Sequence, residues 1–290
     1  MRLLHTSDWH LGQALHNYER SYEHQRFLDW LLDTIVAEQA DALLIAGDIF
    51  DTANPSAGAQ KQLYRFLREA RERAPQLDIV VIAGNHDSPG RLEAPAPLLE
   101  AHGTSVIGNI IRNADGAIEL ERLLVPLRGK DGAIAAWCLA VPFLRPGDVP
   151  RAEAPEDGVD PYLHGIGLLY EQAFALARAK CANGEAIVAM GHCHMVNGES
   201  SNDSERRIVI GGTEALPAGI FDPAIAYAAL GHLHLAQRVG QKEHVRYCGS
   251  PLPLSFAETG YKHQVVRVDL AGGKAAAITP LMVPRAVQLL

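Results

Sequence analysis

Short, unbroken apolar runs recur along the chain, and most of them stop at a glycine. Arg2 to Thr6 reads as a strand, and Ala42 to Ala46 and Ile79 to Ala83 read as strands covered on both faces, since their apolar residues do not alternate with polar ones. Between Glu19 and Gln39, residues Phe27, Trp30, Leu31, Thr34 and Ile35 repeat at helical spacing and predict a crossover helix. Asn54-Pro55 predicts a second helix, with Asn54 as cap and Pro55 at the first helical position. Leu63, Phe66, Leu67 and Ala70 line its inner side, and Ala74-Pro75 closes it. Thr104 to Ile107, Ala117 to Val125 and Ala133 to Val141 read as short strands of a second sheet layer. Arg145 to Pro161 is an irregular connection. A helix over His164 to Ala182 follows, then strands at Ala186 to Met190, Ala226 to Leu230, Val265 to Leu270 and Ala276 to Met282. Strands that alternate with helices define an α/β fold.

The residues just after these runs carry the chemistry. Four runs end in a glycine followed at once by Asp48, Asn85, His192 or His232, and the first strand leads into Asp8 and His10. Ligands of α/β sheets bind at the carboxyl ends of the strands, so these residues are expected in one crevice. With His234 the set is Asp8, His10, Asp48, Asn85, His192, His232 and His234: carboxylate, amide oxygen and imidazole, with no thiolate. Such donors suit manganese, iron or zinc, and seven of them exceed what one ion takes. Two divalent ions are expected, with Asp48 shared between them. A net charge of -8 argues against a surface that is basic throughout, although two divalent ions would add about +4 at one spot. Cys138, Cys181, Cys193 and Cys248 show no paired spacing and read as reduced thiols. No apolar run approaches the ~20 residues of a membrane span, and His5 and Asp8 come too early for a signal peptide, so a cytoplasmic location with no membrane partner is expected.

The ordered series Asp8-Trp9-His10, Gly47-Asp48-Ile49-Phe50-Asp51, Gly84-Asn85-His86-Asp87, Gly191-His192 and Gly231-His232-Leu233-His234 resembles the calcineurin-like metallophosphoesterases. Three segments, His5 to Gly12, Gly84 to Leu92 and Val245 to Phe256, resemble the branch of that family that serves bacterial DNA repair. The resemblance implies a four-layer α/β/β/α fold, a two-layered β-sheet sandwich flanked by helices. Residues 1–283 would form the nuclease domain, and 284–290 would begin a C-terminal capping and partner-binding region. Asp8, His10, Asp48 and His234 would hold one manganese, and Asp48, Asn85, His192 and His232 the other, with magnesium, iron or zinc as alternatives. His86 would face the scissile phosphate. Asp51 is a further catalytic candidate, or only a turn residue.

The implied reaction is phosphodiester hydrolysis in DNA, exonucleolytic at duplex ends and endonucleolytic on single strands and hairpins, beside an ATPase partner. His16, Asn17, Tyr18 and Arg91 flank the motifs as candidate DNA contacts, with solvated loop residues as the plainer reading. Leu63, Leu67, Leu98 and Leu99 read as core, with a homodimer contact as the alternative. Asp87 is expected to hydrogen-bond nearby backbone or a ligand histidine, and Trp9 to pack. Cys193 and His194 carry no assigned role. Two other readings stand beside the nuclease: a small-nucleotide phosphodiesterase or phosphatase on the same metals, and a non-catalytic scaffold. The scaffold predicts lost ligands, and none of the seven is lost.

Overall fold

Unbroken apolar runs become the inner strands of two stacked sheets. The computed structural model of the chain describes residues 1–150, 160–196, 198–199, 205 and 215–289. In chain order the strands are β1 (Arg2–Thr6), β2 (Ala14–Leu15), β3 (Tyr18–Glu19), β4 (Ala42–Ala46), β5 (Asp78–Ile82), β6 (Thr104–Ile107), β7 (Leu124–Arg128), β8 (Ile134–Ala140), β9 (Ala186–His192), β10 (Tyr227–Gly231), β11 (Gln237–Val239), β12 (Lys242–Tyr247), β13 (Gln264–Ala271) and β14 (Lys274–Met282). The helices are α1 (Ser21–Ala37), α2 (Ala57–Arg73), the short α3 (Pro89–Glu93) and α4 (Ala96–Glu100), and α5 (Pro161–Lys180).

One sheet has the order β14-β13-β1-β4-β5-β6 and the other β11-β12-β10-β9-β8-β7, with β2 and β3 forming a separate hairpin. In the first sheet β1, β4, β5 and β6 are parallel, and β13 and β14 are added antiparallel. In the second, β8, β9, β10 and β12 are parallel, with antiparallel β7 and β11 at its edges.

The two-residue period of β4 divides its side chains between two cores. Leu44 and Ala46 join Leu3, Val80 and Ile82 in the cluster that also holds Val188, Met190, Ala228 and Leu230 of the second sheet. Leu43 and Ile45 instead pack with Phe27, Leu31, Leu63 and Phe66 of α1 and α2. On the far face of the second sheet lie Leu169, Ala173 and Ala177 of α5. The layers therefore run α/β/β/α, and the carboxyl ends of β1, β4, β5, β9 and β10 open on one side. Trp9 fastens this end to the helices: it is fully buried, edge-on to Phe27 (5.6 Å) and Phe66 (5.3 Å), and its indole N–H donates to Thr6 Oγ1 at 2.9 Å.

Several elements differ from the sequence reading. The second helix begins at Ala57, where Ser56 Oγ accepts the Ala59 amide at 3.2 Å, so Ser56 and not Asn54 is the cap. The last long helix begins three residues before His164, because Asp160 accepts the Tyr162 amide at 2.8 Å and Pro161 occupies the first turn. Thr104–Ile107 extends the first sheet rather than the second layer. Ala117 to Leu123 is not a strand: the Asn113 side chain accepts the Asp115 and Ala117 amides in a turn, and Leu120–Leu123 is a 3-10 helix. Apart from an isolated bridge between Arg112 and Ile118, strand pairing starts at Leu124. Residues 151–159 of the irregular connection lie outside the described residues. Leu63 and Leu67 are core, whereas Leu98 is 74% exposed. All four cysteines are free thiols. Among the described residues no helix is long and apolar enough to cross a membrane.

Candidate metal centre

At the open end of the sandwich the chain turns sharply after each strand. Asp8, His10, Asp48 and His232 have φ of 54°, 47°, 50° and 103°, a region that non-glycine residues enter at a cost of order 1–3 kcal/mol each. Neighbouring turns hold one another in place. The Asp8 and His10 amides donate to Gly47 and Asp48 carbonyls at 3.0 and 3.1 Å, and the His232 amide donates to Asp8 Oδ1 at 3.0 Å. Asp87 braces two turns at once, accepting the Ile49, Phe50 and Gly84 amides at 3.1, 3.0 and 2.8 Å. Two glycines permit the closeness: a Cβ on Gly84 would collide with the Asp48 carboxylate and amide, and one on Gly231 with the Ala46 carbonyl and His192 ring.

The turns deliver three groups of side chains whose ligand atoms lie within 4.8 Å of one another: Asp8, His10 and His234; Asp48, His192 and His232; and His10, Asp51 and His86. Asn85 adjoins the second group, with Oδ1 2.9 Å from His192 Nε2. Asp48 Oδ2 stands between groups, 3.3 Å from His192 Nε2 and 3.6 Å from His10 Nε2. All seven nominated residues thus meet at one place, and they are drawn from both sheets rather than from one.

Such a cluster strains its own protonation states. Burial pushes the Asp8 carboxyl up, and the Asp48 charge adds to that against the pull of His192 and His234. Burial acts the same way on Asp48, but His192, His10 and His86 outweigh it and hold this carboxyl well below the usual range. Burial lowers His192, yet Asp48 and then Asp8 carry it up to about 9. Burial and the neighbouring His192 push His232 well down.

The donor set fits divalent cations on a separate observation. His10 Nε2 is buried and lacks a hydrogen-bond partner among the described residues. Its other nitrogen is engaged, Nδ1 lying 3.1 Å from Asp51 Oδ1. Nδ1 is likewise engaged at His192, 2.9 Å from the Ala46 carbonyl, and at His234, 2.8 Å from Glu258 Oε1. An imidazole whose Nδ1–H donates to an oxygen presents a lone pair at Nε2, the arrangement that ligating histidines share.

His86 is buried beside this cluster. Its amide donates to Asp48 Oδ1 at 2.9 Å, its Nδ1 lies 2.8 Å from the Asp51 carbonyl, and its ring centre is 4.7 Å from that of His10. Asp51 therefore touches two of the histidines, one through its side chain and one through its backbone. His16, Asn17, Tyr18 and Arg91 belong to none of the three groups. His16 and Asn17, both at positive φ, form the two-residue turn of the β2–β3 hairpin, with Tyr18 79% exposed beside it, while Arg91 lies on α3.

Sequence reasoning missed the residues that orient the cluster: Ser7, whose hydroxyl donates to Asp8 Oδ2, the Ala46 carbonyl, and Glu258. Only Glu258 had a signal within reach, as the acidic residue just past the Val245 to Phe256 segment. The Cys193 carbonyl accepts the Tyr247 hydroxyl at 2.6 Å, and the His194 ring lies 6.2 Å from His232.

The pattern of the family described as calcineurin-like phosphoesterase matches residues 1–236. The chain belongs to the calcineurin-like phosphoesterases. This phosphoesterase is 45% identical over 292 positions to the Rhodobacter capsulatus protein named as the SbcD subunit of the nuclease SbcCD, covering 100% of this chain and 71% of that one. Proteins of the same name from Escherichia coli K12 and Bacillus subtilis are 40% and 36% identical, covering 98% and 95% of this chain and 68% of each relative. Among solved structures, a dimetal phosphatase from Danio rerio shares the fold at 11% identity with a TM-score of 0.50, covering 98% of this chain and 99% of that one. As a member of this family the chain is a hydrolase of phosphoester bonds.

Proposed function

We propose that this phosphoesterase is a metal-dependent nuclease that hydrolyses phosphodiester bonds in DNA, as an exonuclease at duplex ends and an endonuclease on single strands and hairpins. The observation that carries it is Asp48 standing between the His10 and His192 groups, in a chain 45% identical to a protein named as part of a nuclease. Asp8, His10, Asp48 and His234 would hold one divalent ion, and Asp48, Asn85, His192 and His232 the other. Manganese is the proposed ion, and magnesium, iron or zinc can take the same donors. When bound, the two ions supply Lewis-acid activation of water and neutralise charge that develops on the phosphate.

The chain's own groups do the remaining work. Asp51, the Ala46 carbonyl and Glu258 keep His10, His192 and His234 in one tautomer. As an imidazolium, His86 donates Nδ1–H to the Asp51 carbonyl and offers Nε2–H to the phosphate or the departing oxygen. Asp51 acts through these two rings. The β2–β3 hairpin with His16, Asn17 and Tyr18, and Arg91 on α3, would guide the DNA backbone. By analogy with relatives named for the SbcCD complex, the reading includes the SbcC ATPase as partner in DNA repair and recombination, in the cytoplasm. A homodimer with exposed Leu98 as one contact belongs to the same reading.

The test is to incubate the purified protein and manganese with end-labelled duplex and hairpin DNA, beside a bis-aryl phosphodiester and a phosphomonoester. Cleavage of both DNAs that disappears on chelation and in Asp48→Asn is the expected result. Intact DNA with turnover of the small esters would shift the substrate class to small phosphoesters. No turnover and no bound metal would leave a scaffold.

A further inference from the structure

Glu258 ends the 3-10 turn Phe256–Glu258, and its carboxyl group is completely buried. A buried carboxylate is tolerated only when hydrogen-bonded. Here each oxygen has its own partner, with Oε1 2.8 Å from His234 Nδ1 and Oε2 accepting the Leu254 amide at 2.7 Å. The segment that contains Leu254 is itself fixed from the opposite side. The Leu254 carbonyl accepts Gln13 Nε2 at 2.8 Å, and the Pro253 carbonyl accepts the Arg20 guanidinium at 2.6 Å. Arg20 is buried and paired at two points with Glu23, at 2.7 and 2.8 Å. Glu258 therefore meets His234 from a rigid frame.

We propose that Glu258 is the positioning residue of His234. It holds the proton on Nδ1, so that Nε2 faces Asp8 and His10 as a lone pair. The opposite tautomer would set the Nδ1 lone pair against a carboxylate oxygen and aim an N–H at the cluster. The other two rings differ in kind: His192 rests on a neutral backbone carbonyl, and His10 on an Asp51 carboxylate that is partly open to solvent. Of these three rings His234 alone has a fully buried carboxylate behind it, so the effect of Glu258 is confined to the corner that His234 shares with Asp8 and His10. The inference rests on the metal reading proposed above and adds a residue outside its ligand set.

The experiment is calorimetric titration of metal-free protein with manganese chloride, for the wild type, Glu258→Gln, His234→Gln and the double variant. Glutamine keeps the shape, but its single carbonyl oxygen cannot accept from both His234 and Leu254. Expected are two binding events in the wild type and one event weakened about 10- to 100-fold in Glu258→Gln, the usual effect of removing a partner behind a ligand. The other event keeps its affinity, and Glu258→Gln has no further effect in the His234→Gln background. Two unchanged events in Glu258→Gln, or additive losses in the double variant, overturn the proposal.

Because a buried substitution can impair folding, a second measurement uses the wild type alone. Nitrogen NMR of histidine-labelled, metal-free protein, at a pH where the ring is neutral, is expected to show His234 as the Nδ1–H tautomer. The Nε2–H tautomer overturns the proposal. A wild type that takes up no manganese overturns the metal reading instead, and the tautomer still decides the pairing with Glu258.

Discussion

His5 of β1 is joined to Tyr227 of β10 across the two sheets, ring Nδ1 to hydroxyl, at 2.9 Å. Leu230 O can only accept, so Nε2, 3.2 Å away, carries the proton and Nδ1 accepts from Tyr227. Burial pushes this imidazole down to about 3, with the Leu230 hydrogen bond offsetting part of the shift.

The direction of the pH effect follows. The unfolded ring takes a proton near 6.5, whereas the folded ring resists it until about 3. The contribution to stability is present above the first value and is lost as pH falls toward the second, reaching about 2 kcal/mol near pH 5. Urea unfolding of metal-free protein is expected to show a smaller drop between neutral pH and about pH 5 in His5→Gln than in the wild type. Equal drops would mean that the folded ring protonates freely.

Asp87 links the turn after β4 to the turn after β5 by accepting three amides. In Asp87→Asn one of those donors faces an NH2 group instead of an oxygen. A loss of about 1–3 kcal/mol in stability is expected, as for other unsatisfied buried donors. Because Asp48 and Asn85 sit on these turns, manganese uptake should weaken in parallel. Calorimetry and chemical denaturation on the same preparation check both; a destabilised protein with unchanged metal affinity would separate the brace from the site.

At Gly231 the two sheets approach so closely that a Cβ would strike the Ala46 carbonyl. Gly231→Ala should destabilise by about 3 kcal/mol or prevent folding, because neither backbone can retreat. Gly219→Ala, with no atom near the added methyl, is the control and should melt like the wild type. Equal melting temperatures for the two variants would show that the sheets part easily.

Much of this architecture was legible in the order of residues, for a reason visible in the strands. Ala42 to Ala46 is apolar at every position because one face meets α1 and α2 and the other meets the second sheet, so its limits are the limits of burial. Ligands that follow such runs are readable because the strand ends beside them. Helix starts were less legible, since Asn54, Ser56 and Asp160 are all competent caps and only the path of the chain selects among them. The two-sheet origin of the site was hidden as well: parallel strands look alike whether they join one sheet or two. Glu258 and Ser7 escaped because an orienting residue is defined by what it touches, and His234 lies 24 positions from its carboxylate.

His86 can be placed by asking what survives its removal. Its side chain shares a ligand group with His10 and Asp51, so two roles are open to it, holding an ion or meeting the phosphate. The link to Asp48 runs through the His86 amide, which any substitution except proline preserves. In His86→Gln the Asp48 carboxylate therefore keeps that support, and the ions should bind as before. If the ring serves the phosphate, kcat on DNA falls by about 10²- to 10⁴-fold, the range of a lost acid–base group. Manganese per chain, measured by equilibrium dialysis, is then unchanged. A fall in bound manganese that matches the loss of rate would assign His86 to the metals and leave the departing oxygen to solvent.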